Sequence, residues 1–95
     1  EQEEQEEQEE FGIVDEYTTL EIDYNINFTR KELDRIADYY QIPKRKKNKQ
    51  DIVVHIILFE LNVENSYIVY KRKQLWGYIK EIQEDKYLSK FLILP

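Results

Sequence analysis

The stretch FTRKELDRIADYYQIP, residues 28–43, constrains this chain more than any other because it marks both ends of one helix. Thr29 and Glu32 have the T-x-x-E spacing of a capping box, in which each side chain accepts the other residue's backbone N–H. Leu33, Ile36, Ala37 and Tyr40 then fall at i, i+3, i+4 and i+7, one apolar stripe of an amphipathic helix. Pro43 pushes Ile42 out of the helical region, so the helix should run from about residue 30 to 41 and stop there. The next residues, KRKKNK, therefore form a loop, and it holds five basic side chains in six positions.

A second helix is expected from 49 to 61. Asn48 and Asp51 supply a cap and an acid in the first turn, and Ile52, Val53, Ile56, Ile57, Phe59 and Leu61 give a broad apolar face. The β-branched residues also suit a strand, but the cap and the length favour the helix. NVEN breaks the pattern, and Ser66 can cap a third helix running to about 84, lined by Ile68, Leu75, Trp76, Ile79 and Ile82. Gly77 inside that helix should cost about 1 kcal/mol relative to Ala, a cost that close helix packing would offset. Asp85 begins a short final helix with Tyr87, Leu88, Phe91 and Leu92 inward.

Ahead of the first helix, Leu20, Ile22, Tyr24, Ile26 and Phe28 alternate with polar positions, so residues 15–28 read as an extended lead-in lying on the helices. Residues 1–14 open with EQEEQEEQEE, a period-three acidic repeat with little to bury, expected to be a solvated arm. The three segments are thus an acidic arm (1–14), an extended lead-in (15–28) and a helical domain (29–95).

Charge separates along the same lines. The chain is acidic overall, at −6, yet residues 1–28 hold eleven acids and no bases. Residues 29–95 hold all fourteen bases against nine acids, a surplus of five positive charges. An acidic arm joined to a basic domain suggests an anionic partner, with the arm modulating its access. The 95 residues make one small domain at most, without a cysteine to staple it, which fits a reducing intracellular compartment. There is no Met, even at position 1, so the chain reads as an internal fragment. No run of apolar residues is long enough to span a membrane.

Little in the sequence carries catalysis. There is no Cys, no Gly-rich loop and a single histidine, His55, set mid-helix, where a packed or half-exposed ring is the commoner role. No enzyme, cofactor, metal site or small-molecule substrate is expected. The tyrosines would suit stacking on unpaired bases, although aromatics in so small a domain more often fill the core.

Two helices joined by an extended loop, with bases in the loop and at the start of the second helix, resemble the SAP-like, helix-extension-helix domains. The resemblance spans about residues 28–61 and rests on Phe28, Thr29, Leu33, Ile36, Ala37, Tyr40, Ile42, Lys49, Ile52, Val53 and Ile56. It implies core roles for Leu33, Ile36, Ile52 and Ile56, and contact with double-stranded DNA for Lys46, Lys47 and Lys49. The loop departs from the pattern by carrying Gln41 and Asn48 where glycines are expected. The longer strings FTRKELDRIADYYQIPKRKK and YKRKQLWGYIKEIQEDKYLSKF also resemble proteins of nucleocytoplasmic large DNA viruses. That likeness implies a virion, a viral factory or the host nucleus.

The expectation is an all-α, helix-extension-helix domain with an extended N-terminal lead-in and an additional C-terminal helix. It would bind duplex DNA non-specifically through Lys44, Arg45, Lys46, Lys47 and Lys49, aided by the free N–H groups and positive end of the second helix. Arg30, Lys31, Lys71, Arg72 and Lys73 would widen the patch. The alternative is a structural or interaction protein of a large DNA virus particle, a minor capsid or scaffold component among other virion proteins, whose basic loop meets an acidic protein surface.

Overall fold

The computed structural model describes residues 16–92; the acidic arm lies outside them. Within that span the fold is all-α. Helix α1 covers residues 16–27, α2 is Arg30–Tyr39, α3 is Lys49–Leu61 and α4 is Ser66–Glu84. Single 3-10 turns at Val63–Asn65 and Leu88–Phe91 lead into and come after α4.

Residues 16–27 are helical, which corrects the extended lead-in. Leu20, Tyr24 and Phe28 recur every four residues, a spacing that satisfies both a period of two and one face of a helix. The helix buries Tyr24 and half-buries Tyr17 and Leu20, with Phe28 half-buried just beyond it, and leaves out the two residues that only the strand pattern needed, Ile22 at 52% exposure and Ile26 at 74%. Asn25 Nδ2 donates to the Glu21 carbonyl and Asn27 Nδ2 to Asp23 Oδ1, bonds that only a helix brings into reach.

Helix α2 starts as its capping box dictates, with Glu32 N–H donating to Thr29 Oγ1 at 3.2 Å and Thr29 N–H to Glu32 Oε1 at 3.1 Å. It ends without a glycine. Ile42 N–H donates to the Ala37 carbonyl and Gln41 N–H to that of Asp38, the double bond pattern of a Schellman motif. Gln41 takes the left-handed position at φ 60°, where glycine is the usual occupant. Ile42 then folds back against the core.

Helix α3 supplies the centre of the core, with Ile52, Val53, Ile56 and Ile57 fully buried against Leu33, Ile36 and Ala37 of α2. Phe59 packs only partly, and Leu61 and Leu58 are exposed. The chain then turns by 84° into α4. The buried face of α4 is Val69 and Arg72, with Trp76 half-buried beside them, instead of the apolar flank expected from the sequence. Ile68 and Leu75 are exposed, and Ile79 and Ile82 are intermediate. The residue before α4 is Asn65, and its side chain makes no cap bond to the helix. Gly77 does not mark close packing either: a Cβ there would meet nothing within 4 Å. Beyond α4, Asp85 Oδ1 accepts the N–H groups of Tyr87 and Leu88, which shapes the final turn. Tyr87, Leu88 and Phe91 face outward, and Leu92 is intermediate.

Candidate functional site: the basic loop, the buried ion pair and an open groove

The loop 42–48 divides its cations between two duties. Lys44 Nζ lies 2.7 Å from Asp38 Oδ1 at the end of α2, so its charge is already met. Lys47 N–H donates to the Lys44 carbonyl at 3.2 Å, closing a turn whose third residue, Lys46, has φ 62°. A positive φ at that place is what a type II turn requires. Arg45 and Lys46 stand exposed at the tip, with Lys47 half-buried after them. None of these three has an ion-pair partner among the described residues.

Lys49 faces elsewhere. Its Nζ donates to the Asn25 carbonyl at 3.0 Å, in the last turn of α1. A cation there complements the negative end of that helix, which offsets the unfavourable placement of a positive charge in the first turn of α3. The α3 N-terminus closes a reciprocal capping box. Asp51 N–H donates to Asn48 Oδ1 at 2.8 Å, and Asn48 N–H donates to Asp51 Oδ2 at 3.3 Å. The Asp51 carboxylate thus adds a negative charge at the helix end where a phosphate is expected.

The wider patch separates too. Arg30 pairs with Asp34 at 2.9 Å along α2. Lys31, Lys71 and Lys73 are exposed. Arg72 is not a surface cation: it is 5% exposed, and its Nη2 donates to Glu60 Oε2 at 2.6 Å and to Tyr24 Oη at 2.9 Å. Its Nε donates to Tyr40 Oη at 3.0 Å, while Tyr24 and Tyr40 each donate to a Glu60 oxygen at 2.6 Å. Every bond in this cluster is charge-assisted. Burial first, then Glu60, pushes both tyrosines well above the ordinary phenol range. Burial opposes the charge on Arg72, but the Tyr40 hydroxyl, Tyr24 and the Glu60 carboxylate outweigh it and hold the guanidinium protonated. In sequence, Arg72 is hidden between Lys71 and Lys73, and the signal that locates it is helical phase: Val69, Arg72 and Trp76 fall at i, i+3, i+7.

Beside this cluster, residues of α1, α2 and the second half of α4 line an open groove of about 1060 Å³. Phe28, Leu75, Trp76 and Ile79 give it an apolar floor, and Asp23, Glu32, Asp38 and Lys80 edge it. Trp76 meets Tyr39 edge-on at 5.6 Å between ring centroids, and the Arg72 guanidinium lies 5.7 Å from its ring. Among the described residues, no three His, Asp or Glu side chains gather in a metal-ligating cluster.

These features define the chain as a small all-α domain with a cationic loop and an apolar groove. Comparison with family models, curated proteins and solved structures finds no match.

Proposed function

We propose that the domain is a non-catalytic module that binds duplex DNA with little regard to sequence, through Arg45, Lys46 and Lys47. One observation supports this above the rest: three consecutive cations leave one turn without an ionic partner among the described residues, while Lys44 and Lys49 are engaged internally. Cations at a loop tip reach phosphates but not base edges, so they fix position rather than sequence. Three phosphate contacts give a log–log salt slope of about −3, and all five candidates would give about −4 to −5. Titration of a labelled duplex across a salt series measures the slope, and the R45A/K46A/K47A variant should lose binding. Absence of binding by the full chain at low salt removes this reading.

The groove favours a second reading, an interaction or structural protein. In that role Trp76, half-buried at the groove floor, serves as the aromatic anchor for a partner, and the loop meets an acidic protein surface. A minor capsid or scaffold role in a large DNA virus particle belongs to this second reading.

A further inference from the structure

The outer face of α4 carries a row of aromatic and cationic side chains that the fold leaves unused. Tyr67, Lys71, Gln74 and Tyr78 fall at i, i+4, i+7 and i+11, on the opposite side of the helix from the buried Val69 and Arg72. Tyr70 stands beside them. The three tyrosines are 68%, 59% and 54% exposed, so they are not core residues. Neighbouring side chains order two of them: Lys71 Nζ lies 5.6 Å from the Tyr67 ring centroid, and Gln74 Nε2 donates to Tyr78 Oη at 3.3 Å. The exposed Glu64 and Glu81 bound this stretch, Glu81 one turn beyond Tyr78 on the same row; between them there is no carboxylate, while Lys71, Lys73 and Lys80 are exposed.

We infer that this face binds a single-stranded nucleic acid, with Tyr67, Tyr70 and Tyr78 stacking on unpaired bases, Lys71 on the row meeting a phosphate, and Lys73, three residues past Tyr70 on the flank of the helix, meeting another. The pairing of residue types carries the argument. A protein partner would be served by the rings alone and a duplex by the lysines alone. Flat apolar rings interleaved with cations complement a polymer that exposes both π faces and phosphates. The row rises roughly 16 Å along the helix axis, enough to track a short stretch of strand. Nothing on the face is arranged to read base edges, so the binding is indifferent to sequence. This site is separate from the loop and does not depend on it.

Fluorescence polarisation with an oligothymidylate of about twenty nucleotides tests the inference on the full chain. The strand should bind at low salt. Tyr67→Ala, Tyr70→Ala and Tyr78→Ala should each weaken it roughly tenfold, whereas the Phe variants should bind as the unaltered chain does. Lys71→Ala and Lys73→Ala should each reduce the log–log salt slope by about 0.7. The rings lie on the outer side of a helix, so melting curves of the Ala variants should match the parent and exclude unfolding as the cause. The R45A/K46A/K47A variant should keep the single strand while losing the duplex, which separates this site from the loop. The inference is overturned if the strand does not bind, or if the loop variant abolishes binding and the tyrosine variants leave it intact. It is also overturned if the same tyrosine variants instead abolish a concentration-dependent self-association, which would place a second copy on this face.

Discussion

Arg72 of α4 and Glu60 of α3 meet at 2.6 Å, and side chains from the other two helices or their caps converge on that contact. Tyr24 reaches it from α1 and Tyr40 from the end of α2. The ion pair is almost wholly removed from water, with side-chain exposures of 6% and 3%. Such a pair gains little over a well-packed apolar replacement, because desolvation offsets the attraction, but losing one partner strands a buried charge. Arg72→Met should therefore cost about 3–5 kcal/mol in urea unfolding. The R72M/E60L/Y24F/Y40F variant, which removes every polar member together, should recover most of that loss. An unchanged midpoint for Arg72→Met alone would mean that water reaches Glu60.

The same cluster sets an alkaline limit. Tyr24 and Tyr40 titrate higher in the fold than the ordinary value of 10.0, because burial and then Glu60 disfavour the phenolate. Above that ordinary value the unfolded chain loses these protons and the folded chain keeps them, so the unfolded state is favoured as pH rises. The stabilisation is complete below the unfolded value and declines above it, by about 1.4 kcal/mol per pH unit for each tyrosine. Unfolding free energies measured between about pH 9 and 11 should bend downward near 10, and Tyr24→Phe should soften the bend. A flat profile through that range would contradict the buried geometry.

How far the sequence discloses the fold depends on the reach of each signal. The ends of α2 and α3 are legible because capping is local: Thr29 with Glu32, and Asn48 with Asp51, act within a single turn. Helix α1 reads as extended because positions 20, 24 and 28 belong to both periods, and only the packing partner decides between them. The inward face of α4 escapes the pattern because hydrophobicity points to Ile68 and Leu75, whereas the fold buries a guanidinium whose partner lies twelve residues away in α3. The loop's five cations look alike in sequence. Their separation into paired and unpaired groups depends on Asp38 and the Asn25 carbonyl.

Gln41 shows how a missing glycine is tolerated. Its left-handed backbone closes the Schellman motif that ends α2, at a cost of about 1–2 kcal/mol relative to the right-handed region. Glycine adopts that conformation without the Cβ clash but loses more freedom on folding. The net expectation for Gln41→Gly is a gain of about 0.5–1 kcal/mol, and Gln41→Val should lose stability, since a β-branched residue at positive φ is strained. Thermal melts of both variants test this. A loss for the glycine variant would show that the Gln41 side chain contributes more than its backbone costs.

Gly77 allows the free domain to be distinguished from one with an occupied groove. Glycine inside a helix costs about 1 kcal/mol relative to alanine, through backbone entropy. Such a residue is usually kept where a neighbouring backbone approaches, yet an added Cβ at Gly77 meets nothing within 4 Å. Its position on the groove wall, next to Trp76 and Ile79, leaves that side of α4 open. In the isolated chain Gly77→Ala should therefore stabilise by about 0.5–1 kcal/mol, raising the melting temperature by several degrees for a domain of this size. The gain should not change with protein concentration. If the variant instead melts at or below the parent, and the deficit grows with concentration, a second copy must press against Gly77 in solution. The added methyl would then be disrupting an interface in the groove.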